Sequence, residues 1–252
     1  MNMEPDEPDP FFHHPELRDE IADPLKSFKR TFTTADLAAR TREMGLTKEW
    51  WYTDEEREAM RARFLDGHRD GDLWVFGYAS LMWDPGFRFA EVRRARVPGY
   101  ARRFILKDIH GARGTSDAPG LMAALDRSAG CDGGEGCDGL VFRIARERVE
   151  EETEVLWRRE KIGPAYTATF VEAFFADKSV NALTFVADHD AELIDASMTR
   201  QQQIHFLATG AGFLGTSLDY LRNIERKFAV LGIRDDDVAA LLRESEAYAA
   251  SR

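Results

Sequence analysis

The chain has 252 residues, 44% of them apolar and 11% aromatic, enough for one well-buried core and a small appendage. A formal charge of −11 excludes the basic footprint that nucleic acid or an anionic membrane surface requires, so a small molecule or a protein is the expected partner. No run of about 18 apolar residues occurs, and the acidic, proline-rich start carries no secretory signal, which makes the cytoplasm the expected compartment.

The stretch up to Phe28 carries five prolines and many acids, and is expected to be extended or disordered. His13 and His14 are adjacent, a spacing from which two rings rarely converge on one metal ion. Two helices follow. Thr34 is positioned to cap Ala35 to Met44, with Gly45 as the stop; Thr53 and Glu56 form a capping box for a helix reaching Leu65. Trp50, Trp51 and Tyr52 between them form an aromatic cluster suited to pin the pair onto the main body. Residues 1–70 therefore read as an acidic, partly disordered extension with two helices, and residues 71–252 as the catalytic domain.

Leu73 to Phe76 reads as a buried strand broken by Gly77, followed by the small-residue turn Tyr78-Ala79-Ser80. A strand ending in exposed amides suits a carboxylate or an oxyanion, although taken alone the segment reads better as a plain core strand with a tight turn. Val92 to Val97 and Ala101 to Lys107 have strand composition around the Pro98-Gly99 turn, with Arg93, Arg94, Arg96, Arg102 and Arg103 expected to face solvent. A loop runs from Arg113-Gly114-Thr115 to Pro119-Gly120. Strands Leu121 to Leu125 and Leu140 to Ile144 flank a loop whose Cys131 and Cys137 fit no zinc template and are read as reduced turn residues. After a helix from about Glu147 to Lys161, a hairpin pairs Thr167 to Phe175 with Val180 to Val186. Helices Thr199 to Thr209, Thr216 to Leu231 and Asp235 to Ala249 end the chain. This order predicts an α+β fold around a curved or barrel-like mixed sheet with peripheral helices.

At about 100° per residue, Val149, Thr153, Leu156 and Glu160 share one face of the inserted helix. Glu160 stands where leucine is expected, so either it has a buried partner such as an arginine or it is a functional acid. Glu151, Glu152 and Glu154 read as a solvated charge run. Gly210, Gly212 and Gly215 have the G-x-G-x-x-G spacing, but they follow a helix outside any βαβ unit, so a packed helix-to-helix connection is the better reading. The chain contains no P-loop, H-E-x-x-H or G-x-S-x-G motif, and no cofactor or metal is expected.

Together, WVFGYASLMWDPGF, the RRF at Arg102 to Phe104, ARGTSDAPG, LWRREKIGPAY and GFLGTSLDYL, in this order between Asp72 and Gly232, resemble the ChaC-type (glutathione-specific) gamma-glutamylcyclotransferases. The resemblance implies a mixed β-barrel lyase that converts glutathione to 5-oxoproline and cysteinylglycine without cofactor. It implies Glu160 as the catalytic acid/base. It also implies a glutamyl site at Val75, Phe76, Gly77, Tyr78, Ala79, Ser80 and Leu81, with Arg113, Tyr166 and Tyr220 lining the pocket. Two departures stand out: Ala79 replaces the glycine of the family's Y-G-S-L turn, and Leu121 stands where relatives often carry arginine. The alternatives are a non-catalytic homologue that binds a gamma-glutamyl ligand or a protein, and a cyclotransferase for other gamma-glutamyl amines.

Overall fold

A computed structural model of the chain describes residues 9–45, 50–128, 136–176 and 178–252; Cys131 lies outside them. Among the described residues nine strands and seven α-helices follow in order: α1 (Phe28–Thr31), α2 (Thr34–Glu43), α3 (Asp54–Phe64), β1 (Leu73–Gly77), β2 (Glu91–Pro98), β3 (Tyr100–His110), β4 (Thr115–Arg127) and β5 (Gly136–Ile144). Then come α4 (Val149–Glu160), β6 (Tyr166–Phe175), β7 (Lys178–Ala187), α5 (Arg200–Thr209), the two-residue strands β8 (Ala211–Gly212) and β9 (Gly215–Thr216), α6 (Ser217–Leu231) and α7 (Asp236–Ala250).

Five strands close a ring. β1 pairs antiparallel with β5, β5 with β2, β2 with β6 and β6 with β7, and β7 returns parallel to β1 through Trp74↔Ala182 and Val75↔Leu183. β4 joins β7 at Leu125↔Val186 and carries β3 on its outer edge. The expected α+β mixed barrel is therefore present. Val75, Phe76, Leu140, Phe142, Leu183 and Phe185 are fully or almost fully buried, the pattern of strands covered on both faces. None of the described helices is long and apolar enough to cross a membrane.

Local signals place most helix starts. Thr33, Thr53 and Thr199 each close a capping box, with Asp36, Glu56 and Gln202 respectively. The first cap is Thr33 and not the expected Thr34, because residue 33 has the extended backbone a cap needs. Several expectations are corrected. From Asp9 onward the proline-rich stretch coils against the barrel, burying Leu17 and Ile21 in the main core. β4 begins at Thr115, and the expected loop survives as a register break between the pairs His110↔Thr115 and Asp108↔Gly120. Cys137 lies within β5, buried and not in a turn. The spaced glycines serve close approach: a Cβ at Gly210 would meet the Gly120 Cα at 2.4 Å, and one at Gly212 the Gly111 carbonyl oxygen at 2.1 Å.

Two supposed surface charges are also internal. Glu152 is fully buried, accepting from Arg30 Nη1 at 2.6 Å, Arg88 N at 2.8 Å and Arg88 Nε at 2.5 Å. Arg102 shares the inward face of β3 with Phe104 and is 8% exposed. Both are paired because an unpaired buried charge is prohibitively costly.

Candidate active site

A cavity of about 360 Å³ opens where the turn after β1, the C-terminal end of α4, the start of β6 and the first turn of α6 converge. Tyr78, Ala79, Ser80, Leu81, Arg113, Glu160, Tyr166 and Tyr220 all line it. Val75, Phe76 and Gly77 do not: the first two are 0% exposed in the barrel core, and Gly77 pairs with Leu140 in the ladder. The ring of strands sequesters the side chains of Val75 and Phe76, and the β1 segment reaches the cavity only from Tyr78 onward.

Glu160 is the last residue of α4, below the buried stripe Val149, Thr153 and Leu156, and its side chain is 15% exposed. Arg159 Nε donates to Glu160 Oε1 at 2.7 Å, and Nη2 of the same guanidinium donates to Ser80 Oγ at 2.9 Å. Nη1 donates to the carbonyls of Asp84 and Pro85, the second at 2.9 Å. One buried guanidinium thus holds the acid at the end of α4 against the turn after β1. Glu160 therefore has the arginine partner of the first alternative, and it also faces a cavity.

Three phenols surround this acid. Tyr78 donates to the Phe185 carbonyl at 3.2 Å and Tyr166 to the Ala123 carbonyl at 3.1 Å. Burial, reinforced by the Glu160 charge and the neighbouring phenols, pushes the pKa of Tyr78 and of Tyr166 well above the ordinary value. Burial raises Tyr220 to about 12, against the opposing pull of the Arg113 charge. All three are neutral hydroxyls at neutral pH, able to donate but unsuited to act as bases.

Arg113 lies over the Tyr220 ring at 4.7 Å and donates from Nη1 to the Thr216 carbonyl at 3.1 Å. Asp108 sets its backbone. That carboxylate accepts the Arg113 amide, the His110 amide at 2.9 Å and the Gly114 amide at 3.1 Å, while burial still holds its pKa above the ordinary range. Ala79 has φ −143°, outside the left-handed region, so its Cβ meets no penalty of that kind.

Sequence reasoning missed Arg159, Arg102 and Asp108 as parts of the site. Arg159 is adjacent to the acid in the quoted motif, and Arg102 occupies an apolar-face position of an alternating strand; each is a readable signal. Asp108 takes its amide donors from two, five and six residues further on, a local turn pattern that a strand reading of the segment passes over. Arg102 Nε donates to the Tyr78 carbonyl at 2.6 Å, fixing the turn from behind. Phe28, Lys29, Phe32, Leu37 and Trp50, all before the first barrel strand, also line the cavity.

The barrel and its appended helices are those of the gamma-glutamylcyclotransferase fold. A glutathione-specific gamma-glutamylcyclotransferase structure from yeast matches with a TM-score of 0.64 at 21% identity, covering 73% of this chain and 99% of that one. In sequence, a glutathione-specific gamma-glutamylcyclotransferase of Escherichia coli strain K12 is 32% identical over 193 residues, 76% of this chain and 80% of the relative. One from Schizosaccharomyces pombe is 28% identical over 70% of this chain and 93% of its own length. The model of the ChaC-like protein family matches residues 73–248, and the chain belongs to that family.

Proposed function

We propose that the protein is a glutathione-specific gamma-glutamylcyclotransferase that releases 5-oxoproline and cysteinylglycine, with Glu160 as its acid/base. The observation that carries the reading is the Arg159 bridge, which sets the Glu160 carboxylate and the Ser80 hydroxyl on one cavity. The Escherichia coli and yeast relatives named for this activity support it.

The α-amine of the glutamyl group attacks its own γ-carbonyl carbon, closing a five-membered ring, and the bond to the leaving amine then breaks. No water is consumed and no enzyme nucleophile is needed. One proton must pass from the attacking nitrogen to the departing one. Glu160 can accept the first and return it to the second, because the surrounding phenols stay protonated. The Tyr220 hydroxyl and the first amides of the helical turn Ser80–Met82 are donors for the substrate carboxylate and the tetrahedral oxyanion. Arg113 adds positive charge on the same wall. In this reading residues 71–252 are the catalytic domain, residues 1–70 an extension to it, and the cytoplasm the working compartment.

The test is 5-oxoproline release from glutathione by purified protein and by Glu160→Gln. The substitution removes the proton shuttle, worth about 10²–10⁴ in rate, and leaves the circular dichroism and melting profile of the fold in place. Activity of Glu160→Gln equal to wild type excludes the assigned role.

A further inference from the structure

Two carboxylates and two cations meet where the turn after β1 faces the end of α4. Glu160 holds the Arg159 guanidinium at 2.7 Å, and Asp84 holds the Lys29 ammonium at 3.2 Å. All four residues line the cavity. Asp84, Arg159 and Glu160 lie within the region matched by the family model, residues 73–248, whereas Lys29 comes from α1, ahead of it. The segment around α1 is tied down on both sides of this lysine. Ser27 caps the helix by accepting from the Lys29 amide at 3.2 Å, Arg30 donates to Glu152 at 2.6 Å, and Arg158 donates to the Arg30 carbonyl at 2.6 Å. The side chains of Lys29 and Asp84 are left only 19% and 17% exposed.

The pairing matters because one guanidinium stands beside both acids. Arg159 donates from Nη1 to the main-chain carbonyl of Asp84 while its Nε holds Glu160 and its Nη2 holds Ser80. Burial works to raise the Asp84 pKa, but the Lys29 and Arg159 charges help hold it below the ordinary value. With Lys29 gone, Arg159 is the cation left to compensate this carboxylate, and a guanidinium turned toward Asp84 is lost to Glu160 and Ser80.

We propose that Lys29 is a positioning residue of the active site: by occupying Asp84 it keeps Arg159 directed at Glu160 and Ser80, so that the segment ahead of the barrel completes the site. The inference rests on the cyclotransferase reading and adds a residue to its machinery. The charged groups that reach Lys29 are Asp84 in the turn after β1 and Arg159 and Glu160 on α4. Burial and the Arg159 charge pull the Lys29 pKa down to about 8 against the opposing pull of the two carboxylates, so the ammonium is present at neutral pH and is lost as pH rises through that value.

The experiment measures kcat/KM for 5-oxoproline release from glutathione by the full chain and by its Lys29→Met, Lys29→Arg and Lys29→Met/Asp84→Asn variants, with circular dichroism confirming the fold at the assay temperature. Misdirecting the acid lowers Lys29→Met by about 10- to 100-fold at neutral pH. Removing the competing carboxylate as well returns the double variant to within about threefold of wild type. Lys29→Arg keeps its charge, so its rate relative to wild type climbs by at least about fivefold as pH goes from roughly 7 to 9, the substrate's own titrations cancelling in that ratio. Lys29→Met at the wild-type rate, a double variant as slow as Lys29→Met, or a ratio that stays flat across that range overturns the assignment. Wild-type turnover alongside any of these results leaves the cyclotransferase reading standing; no 5-oxoproline from the wild type removes both.

Discussion

Ala79 tests how much one methyl group matters in the turn that faces Glu160. The glycine of the resembled Y-G-S-L turn would be irreplaceable if the position needed positive φ, but here φ is −143°. Ala79→Gly is therefore expected to leave turnover within about threefold of wild type while lowering stability by roughly 0.5–1 kcal/mol through added chain entropy. Parallel melting and 5-oxoproline assays check both halves. A gain in turnover of about tenfold or more contradicts the expectation, because it would make the Cβ an obstacle to substrate. At this scale the site was partly legible: Glu160, Tyr166, Tyr220 and the turn from Tyr78 are brought together, the first as periodicity suggested and the others as the family resemblance implied. Val75 and Phe76 are instead core, since a strand closed into a ring has no side chains to spare for a ligand.

Among the elements, α4 joins two tasks on one helix. Its end presents Glu160 to the cavity, and its first turn anchors the N-terminal segment through Glu152, which binds Arg30 of α1 and Arg88 before β2. Burial works to raise the Glu152 pKa, but the hydrogen bonds from Arg30 and Arg88 outweigh it and hold the carboxyl below the ordinary value of 4.5. With the folded pKa below the unfolded one, the stabilisation is complete above pH 4.5 and is lost as pH falls through the depressed value. Glu152→Gln is expected to cost about 2–3 kcal/mol near pH 7, with the gap to wild type closing as the solution is acidified below that range. Urea titrations at several pH values read it directly, and a gap independent of pH refutes the ionic account. Charge alternation along the helix could not reveal this clamp. Its two arginines arrive from positions 122 and 64 residues away in sequence, and only the fold sets them side by side. Capping boxes, by contrast, are local, which is why the Thr53–Glu56 box was readable.

For the molecule as a whole, Arg102 is a contact that several packed parts share. Its guanidinium donates to the Tyr78 carbonyl, to the Asp138 carbonyl at 2.6 Å in β5, and to Asp235 Oδ2 at 2.9 Å, and it covers the Phe228 ring at 4.2 Å. Asp235 in turn caps α7, so the barrel, the cavity turn and the C-terminal helices share one cation. Arg102→Met keeps the apolar length but strands three acceptors, and an expected loss of about 3 kcal/mol should appear as a lower denaturant midpoint together with reduced turnover. Unchanged stability removes this linking role. Sheet order was not legible beforehand. Alternation identifies strands, but the closing contact between β1 and β7 rests on two residue pairs distant in sequence.

That closed barrel also settles the chemistry of Cys137. The thiol is buried within β5, and burial raises its pKa above the usual thiol range, so the reactive thiolate is scarce and little of the residue meets solvent. A protein that handles a thiol peptide as substrate can thus keep this sulfur out of mixed disulfides for as long as the barrel stays shut.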